Sequence, residues 1–295
     1  MNIQSLSICV PAKACVNNCK FCVTYMHNDT YPNHLDENLP FYDLYQKDYL
    51  KRMEYARDNG CNTVMLTGQA EPQQNKPFLK TFGLLNSMME KPFRNIEIQT
   101  TGVMLDEAYL RFLRNHVGVT TISLSVLCLN DDNVNNSIIN TPKRYPVYLE
   151  KLCKLIKKYD FNLRLSLNIT KHIFDFNGNP NIDKIFERCI ELGADQVTFR
   201  KMYFTDEDNE QNKFLKSSKI IPGWFDKLDN IIRTEGKYLD TLEYGANRYS
   251  YKGLSIVIDT DCMAKSSEKQ ALKYLILRPN CKLYSKWDDK ASLIF

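Results

Sequence analysis

Two hydrophobic patterns alternate along the first 235 residues of the chain. Short runs of apolar and β-branched residues predict strands, and the segments between them place apolar residues three and four positions apart, as helices do. Strands are predicted at 5–11, 62–67, 95–101, 119–127, 161–170 and 195–202. Helices are predicted at 41–59, 78–89, 105–113, 146–159, 182–190 and 224–232.

Six strand-then-helix units in succession predict a parallel sheet with helices outside it. The fold class is therefore predicted as α/β, a partial (β/α)6 TIM-like barrel with a C-terminal β-hairpin extension. Residues 1–235 would form the core barrel, and residues 236–295 a β-rich extension that caps it. Hairpins are expected at 251–259 and at 274–287, the second turning at Pro279-Asn280, and the polar stretch 204–222 is expected to act as a lid.

The composition indicates an ordinary globular protein but does not indicate a function. The chain has 295 residues, of which 43% are hydrophobic and 25% charged, as in ordinary globular proteins. Its net charge of +4 is compatible with an anionic substrate and too small to indicate nucleic acid, which it does not exclude. No apolar run is long enough for a membrane span, and residues 1–10 lack the features of a signal sequence, so a cytoplasmic protein is expected.

The densest chemistry lies directly after the first predicted strand. Cys15, Cys19 and Cys22 follow the spacing C-x3-C-x2-C within residues 15–22. Three thiolates on one short loop can hold three irons of a [4Fe–4S] cluster and leave the fourth iron open to another ligand. A structural zinc site would need a fourth ligand, for which His27 is the next candidate, and a disulfide or a chance grouping are further alternatives.

This cysteine loop resembles that of the radical S-adenosylmethionine (radical SAM) enzymes, and the resemblance extends over roughly residues 3–235. It implies one [4Fe–4S] cluster held by Cys15, Cys19 and Cys22, with SAM as the second cofactor. It also implies reductive cleavage of SAM to a 5′-deoxyadenosyl radical that takes a hydrogen from a substrate, with an electron donor such as flavodoxin or ferredoxin. A small molecule or nucleotide is favoured as substrate over a peptide or nucleic acid, because neither a peptide-binding extension nor a dense basic stripe is evident.

The second predicted strand ends in Gly68-Gln69-Ala70-Glu71-Pro72. This segment resembles the family's Gly-x-Gly-Glu-Pro element, whose backbone groups pair with the amino group of SAM, although Ala70 stands where a second glycine is common. Together with polar residues at the ends of the next strands, the resemblance implies the following SAM contacts: Gly68, Gln69, Glu71, Thr101, Ser123, Ser125, Asn168 and Arg200.

Each of these polar residues also has an ordinary structural interpretation. Serine, threonine and asparagine at strand ends often satisfy backbone groups, and an arginine there often forms a surface ion pair. All of them lie at the carboxyl ends of successive predicted strands, and the ends of parallel strands meet at one edge of a sheet. This shared position favours one pocket over several unrelated structural roles. By the resemblance, Asn168 would lie near the ribose and Arg200 would bind the carboxylate, which a guanidinium can grip with two bonds.

The remaining cysteines receive simpler interpretations. Cys262 and Cys281 are too few for a second cluster, so one cluster is expected. Cys128, at the end of the fourth strand, could donate a hydrogen atom, but a packed core thiol is favoured.

Another class of function competes with an enzyme. A non-enzymatic iron–sulfur or zinc protein, either a redox sensor or a nucleic-acid-binding module, would need the cysteines but not the polar strand ends. A barrel enzyme with an incidental cysteine loop is weaker still, and the four histidines have no metal-binding spacing. The sequence does not identify the substrate, the fate of SAM, or the oligomeric state.

Overall fold

The structure is a computed structural model that describes residues 2–26, 44–174, 180–242, 246–259, 271–287 and 290–294. The strands are β1 (Asn2–Cys9), β2 (Thr63–Thr67), β3 (Asn95–Thr100), β4 (Thr121–Val126), β5 (Asn162–Ile169), β6 (Gln196–Lys201), β7 (Lys237–Thr241), β8 (Asn247–Tyr251), β9 (Leu254–Asp259), β10 (Ala271–Leu277) and β11 (Leu283–Tyr284). The helices are α1 (Gln46–Asp58), α2 (Lys76–Met88), α3 (Glu107–Phe112), α4 (Asp132–Ile139), α5 (Leu149–Lys158), α6 (Ile182–Glu191), α7 (Glu210–Ser217) and α8 (Trp224–Glu235).

Within the described residues, the strands form one sheet in the order β11-β10-β1-β2-β3-β4-β5-β6-β9-β8-β7. β1 to β6 are parallel neighbours in chain order, as the alternation of strands and helices predicts. The two end strands, β11 and β7, do not pair with each other in this order, so the barrel is open. The predicted α/β fold with a partial barrel is confirmed.

The two faces of the sheet differ in polarity because successive side chains along a strand point to opposite faces. One face is apolar and forms the main core with buried residues of the helices. Leu66 and Leu165 of the sheet belong to the same hydrophobic cluster as Phe82 of α2 and Ile156 of α5. The other face is largely polar. Its residues, read across the sheet, include Ser5, Ser7, Glu97, Gln99, Ser123, Ser125, Arg164, Ser166, Asn168, Thr198 and Arg200.

Each predicted strand of the first six is present, and its ends differ from the prediction by at most three residues. Two helices were not predicted. Asp131 begins α4 by accepting hydrogen bonds from the backbone of Asn133 and Val134, at 2.8 and 3.2 Å. Asn209 begins α7, inside the stretch expected to be a loop, by accepting from the backbone of Asn212 at 2.9 Å. Both helices have only eight residues, and a helix this short depends on side-chain caps and tertiary packing for its stability.

The strands after residue 235 continue the same sheet at both ends. β9 pairs in parallel with β6 and continues through the antiparallel pairs β9–β8 and β8–β7, with the hairpin turn between Tyr251 and Leu254. β10 pairs in parallel with β1, and its hairpin with β11 encloses the predicted turn at Pro279-Asn280. The division of the chain at residue 235 and the capping role of residues 236–295 stay predictions.

Candidate active site

The cluster loop, defined here as residues 10–26, leaves the carboxyl end of β1 at the edge where the polar strand ends meet. Cys15, Cys19 and Cys22 are half-buried and carry free thiols. Short backbone hydrogen bonds compact the loop, from Cys22 to the Cys19 carbonyl at 3.2 Å and from Tyr25 to the Cys22 carbonyl at 3.1 Å. The loop therefore presents all three thiols on one compact segment.

The three thiols and Glu71 share one electrostatic environment. Burial raises the pKa of Cys19 well above its usual range, and the charges of Cys22, Glu71 and Cys15 act in the same direction. Burial also raises the pKa of Cys15 and of Cys22, with Glu71 again contributing. Metal binding removes the thiol proton. A shared cationic centre would therefore favour the thiolate form of these three cysteines, which their environment otherwise disfavours.

No three His, Cys, Asp or Glu side chains in the described part of the chain are grouped as a single metal ion would require. His27, the alternative fourth zinc ligand, lies outside the described residues.

The middle of the cluster loop rests on α4. The backbone of Lys20 donates to the Ile138 carbonyl at 3.0 Å. Cys19 and Phe21 pack against an apolar cluster made of Leu127, Cys128, Val134, Ile138 and Ile139. Cys128 is buried there, which favours the packing role for its thiol over hydrogen-atom donation.

The end of the loop is tied to the segment after β6. The Met26 carbonyl accepts from the amides of Asn209 at 2.7 Å and Asn212 at 3.1 Å, and from the Thr205 hydroxyl at 3.3 Å. Asn212 is fully buried, and its Nδ2 also donates to Thr205 Oγ1 and to the Glu207 carbonyl. The segment expected as a lid thus contains α7 and secures the cluster loop in this structure.

Glu71 is the most highly connected side chain of the site. Its Oε1 accepts from Thr101 Oγ1 at 2.6 Å, the Thr101 backbone at 3.1 Å and Asn17 Nδ2 at 3.1 Å. Its Oε2 accepts from Thr100 Oγ1 at 2.6 Å and Gln73 Nε2 at 2.8 Å. Burial raises the pKa of Glu71, and these hydrogen bonds oppose the rise because they favour the charged form.

These bonds join three separate parts of the chain. Asn17 lies in the cluster loop and Glu71 follows β2, whereas Thr100 ends β3 and Thr101 comes directly after it. Asn17 Nδ2 donates to Thr101 Oγ1 as well, at 2.9 Å, and Gln73 Nε2 reaches Thr100 Oγ1 at 2.7 Å. Since a carboxylate offers roughly four lone-pair sites, the chain itself supplies Glu71 with a full set of donors. The predicted contact between Glu71 and SAM stays a prediction.

Gly68 brings the end of β2 close to the start of the cluster loop. A Cβ atom at this position would lie 3.1 Å from the Val10 carbonyl oxygen, with φ at +154°. The Val10 backbone also donates to the Thr67 carbonyl at 2.7 Å. Glycine therefore permits the close approach of the two backbones, and the half-buried Gln69 follows it at the same edge.

The other predicted SAM contacts lie farther along the same edge. Ser123 and Ser125 share one face of β4, and Ser125 is the register partner of Ser166 on β5. Asn168, two residues farther along β5, is the register partner of Arg200 on β6. The Asn168 side chain is buried and its Nδ2 has no hydrogen-bond partner in the chain, so it can donate to a bound molecule.

Arg200 has an acidic neighbour that the sequence did not indicate. Asp259, the last residue of β9, is its register partner, and its Oδ2 lies 4.0 Å from Arg200 Nε. Asp259 is buried, whereas the Arg200 side chain is 34% exposed. The guanidinium therefore lies beside a carboxylate at the polar edge of the sheet, and part of it stays accessible.

Beneath these residues, the polar face of the sheet contains a partly buried ion pair. Glu97 on β3 pairs with Arg164 on β5, and Gln99 donates to Glu97 Oε1 at 3.1 Å. Arg164 also donates twice to Gln196 Oε1 on β6, at 2.6 and 2.8 Å. This network fixes the relative positions of β3, β5 and β6 below the site.

Among the predicted SAM contacts, Glu71 and Thr101 are joined by hydrogen bonds. Ser123, Ser125, Asn168 and Arg200 lie on the same face of the neighbouring strands β4, β5 and β6. Sequence reasoning missed Asn17, Gln73 and Asp259. The position of Asn17 between two ligand-type cysteines was the available signal for it. Asp259 had no comparable signal, because its partner lies on a strand far away in sequence. Of the two C-terminal cysteines, Cys281 is buried in the main core and Cys262 lies outside the described residues.

The donor set fits the cofactors that the resemblance implies. Three half-buried thiols share one loop, and buried polar atoms without partners, Asn17 Oδ1 and Asn168 Nδ2, lie on the cluster loop and on β5.

No helix among the described residues combines the length and the apolar character needed to cross a membrane.

The chain is similar to known proteins in its family and in its fold. The family model described as the radical SAM superfamily matches residues 9–175, more than half of the chain. Streptococcus suis SuiB bound to S-adenosylmethionine is similar in fold, with a TM-score of 0.54 and 16% identity over 96% of this chain and 58% of SuiB. The chain thus spans less than two thirds of SuiB.

A second protein, anSMEcpe, gives a similar result in two structures. Tagged anSMEcpe with bound AdoMet has a TM-score of 0.54 and 15% identity, over 96% of this chain and 74% of that one. Native anSMEcpe with AdoMet and the Kp18Cys peptide has the same TM-score and 14% identity, over 99% and 77%. At these identities the likeness concerns the fold alone.

Proposed function

The chain belongs to the radical SAM superfamily, whose enzymes carry a [4Fe–4S] cluster and bind SAM, and on that premise we propose that it cleaves SAM reductively to start a radical reaction on a substrate. The observation that carries the proposal is the junction of the three-cysteine loop with the polar ends of β2 and β3 through Glu71. When bound, the cluster and SAM supply a 5′-deoxyadenosyl radical, which abstracts hydrogen.

The residues of this chain would bind and orient the cofactors. Cys15, Cys19 and Cys22 would ligate three irons, and the polar strand ends would hold SAM above the sheet. Arg200 carries a permanent charge suited to a carboxylate, and Asn168 offers an unpaired donor suited to a ribose hydroxyl. Glu71, Thr101 and Asn168 are buried, so this part of the site would limit the access of water to reactive species.

We propose a polar small molecule or a nucleotide as the substrate. Support comes from the polar face of the sheet, where hydroxyl, amide and guanidinium groups line the barrel interior. A peptide is the competing class, because anSMEcpe has been seen with peptide bound, and a product screen with both substrate classes separates them.

The cellular setting is also proposed. Reduction of the cluster needs a one-electron donor, and we favour a flavodoxin or ferredoxin. A cytoplasmic location is supported by the free thiols of all nine described cysteines, since reducing compartments keep thiols unbridged.

The non-enzymatic sensor explains the cysteines but not the rest of the site. A sensor has no need of buried, unpaired hydrogen-bonding groups at the strand ends, such as Asn168 Nδ2. Membership of the radical SAM superfamily also favours the enzyme.

Anaerobic reconstitution tests the proposal directly. The protein is loaded with iron and sulfide, then reduced and mixed with SAM, and 5′-deoxyadenosine is measured. The wild type should release this nucleoside, and the Cys19→Ala variant should not. Cys153→Ala is the matched control, because Cys153 is a buried core thiol of α5 and should not affect the cluster.

Two results would contradict the proposal. The purified protein could retain zinc in place of iron, or a loaded cluster could fail to cleave SAM with every candidate substrate. Either result would support the sensor instead.

A further inference from the structure

Asn17 occupies an unusual place in the cluster loop. It lies between Cys15 and Cys19, yet its side chain is only 4% exposed, whereas the adjacent Asn18 is exposed. An asparagine buried within a loop of exposed polar neighbours loses its contacts with water, so the protein must compensate its amide. The structure shows how half of that compensation is made.

The donor half of the Asn17 amide is fully used. Nδ2 donates to Glu71 Oε1 at 3.1 Å and to Thr101 Oγ1 at 2.9 Å, and these two acceptors are themselves hydrogen-bonded at 2.6 Å. The three side chains thus form a closed triangle that joins the cluster loop to the ends of β2 and β3. Hydrogen bonds to a buried carboxylate are stronger than neutral ones, so the triangle holds the loop firmly.

The acceptor half of the same amide is unused. Asn17 Oδ1 is buried and has no hydrogen-bond partner in the chain. An amide is planar, so with Nδ2 turned to Glu71 and Thr101, Oδ1 must point away from them. A buried acceptor without a donor costs free energy, and such a group in a site calls for a ligand that supplies the donor.

We infer that Asn17 is a positioning residue for SAM. Its Nδ2 sets the distance between the cysteine loop and the strand ends, and its Oδ1 accepts a hydrogen bond from an N–H or O–H group of bound SAM. The inference rests on the proposed function, because it requires SAM to bind beside the loop. Asn17 would thus align the cluster site with the SAM site.

Glu71 and Thr101 fit this role as partners of Asn17. The carboxylate of Glu71 is occupied by donors of the chain, so it acts through the residues it holds. Removing Asn17 would leave all three cysteines in place, and cluster assembly should therefore survive better than SAM binding.

The experiment compares Asn17→Ala with its neighbour Asn18→Ala in the cluster-loaded protein. Iron and sulfide content report cluster assembly, and the electron paramagnetic resonance spectrum of the reduced cluster is titrated with SAM. We expect Asn17→Ala to keep most of its iron but to need about 10- to 100-fold more SAM for the half-maximal spectral change, the range seen when a supporting contact of a metal site is lost. Asn18→Ala should titrate like the wild type.

A second pair of variants covers the case in which Asn17→Ala fails to fold. Asn17→Ser retains a small polar side chain at the buried position but lacks the amide, so it should also need more SAM, whereas Asn18→Ser should titrate like the wild type. Equal titrations for an Asn17 variant and the matching Asn18 variant would overturn the inference. A wild-type cluster whose spectrum ignores SAM would instead overturn the proposed function.

Discussion

Arg200 and Asp259 are register partners on neighbouring parallel strands, and Arg200 Nε lies 4.0 Å from Asp259 Oδ2. Arg200 lies one residue before the end of β6, and Asp259 is the last residue of β9. The carboxylate keeps the guanidinium near the polar edge without burying it. The C-terminal strands therefore contribute to the proposed SAM pocket as well as to the sheet.

Arg200→Gln tests the proposed contact between Arg200 and the carboxylate of SAM. Glutamine keeps hydrogen-bonding capacity but not the charge, and we expect SAM affinity of the cluster-loaded protein to fall about tenfold or more, as when a hydrogen bond to a charged group is lost. Equilibrium dialysis with labelled SAM measures the change. Lys201→Gln is the control, because Lys201 is exposed and follows Arg200 on the opposite face of β6. Equal affinities for the two variants would remove Arg200 from the site.

Glu97→Gln tests the ion pair beneath the site. The Glu97 side chain is 4% exposed and that of Arg164 31%, so the variant leaves a partly buried guanidinium without its counter-charge. We expect the free energy of unfolding to fall by about 2 kcal/mol, less than for a fully buried pair because water screens Arg164. Anaerobic urea unfolding of the cluster-loaded protein measures it.

The control for Glu97→Gln is Glu150→Gln. Glu150 pairs with Lys154 and Arg188 on the surface, where an ion pair contributes about 1 kcal/mol at most. If both variants lost the same stability, the buried network would not hold the strands together.

Thiol labelling separates the loop cysteines from the core cysteines. Burial raises the pKa of Cys9 and of Cys153 to about 12, so at pH 8 only about one in ten thousand of each is the reactive thiolate. Brief treatment of the cluster-free protein with iodoacetamide should label the half-buried Cys15 first, and mass spectrometry identifies the sites. Raising the pH to 9.5 should speed labelling of the loop while Cys153 stays protected. Labelling of Cys153 as fast as Cys15 in folded protein would contradict this.

Asn212→Ala tests the attachment of the cluster loop to the segment after β6. The Met26 carbonyl and the Thr205 backbone would each lose a buried partner, at a cost of about 2 to 3 kcal/mol in local stability. Hydrogen exchange should then become faster at residues 20–26 and 203–209. Asn230→Ala, at an exposed position of α8, is the control and should leave both segments unchanged. Unchanged exchange in Asn212→Ala would show that the loop is held by other contacts.

The sequence alone determined the six strand–helix units, because period-two and period-3.6 patterns are local properties of the chain. It also identified the cysteine loop, because all three cysteines lie within eight residues. Only the tertiary structure decided which distant side chains meet. Asn17 reaches Glu71 across 54 positions, and Asp259 reaches Arg200 because β9 pairs with β6. Such contacts depend on strand order and register. Many different sequences are compatible with the same strand order and register, so no local pattern predicts these contacts.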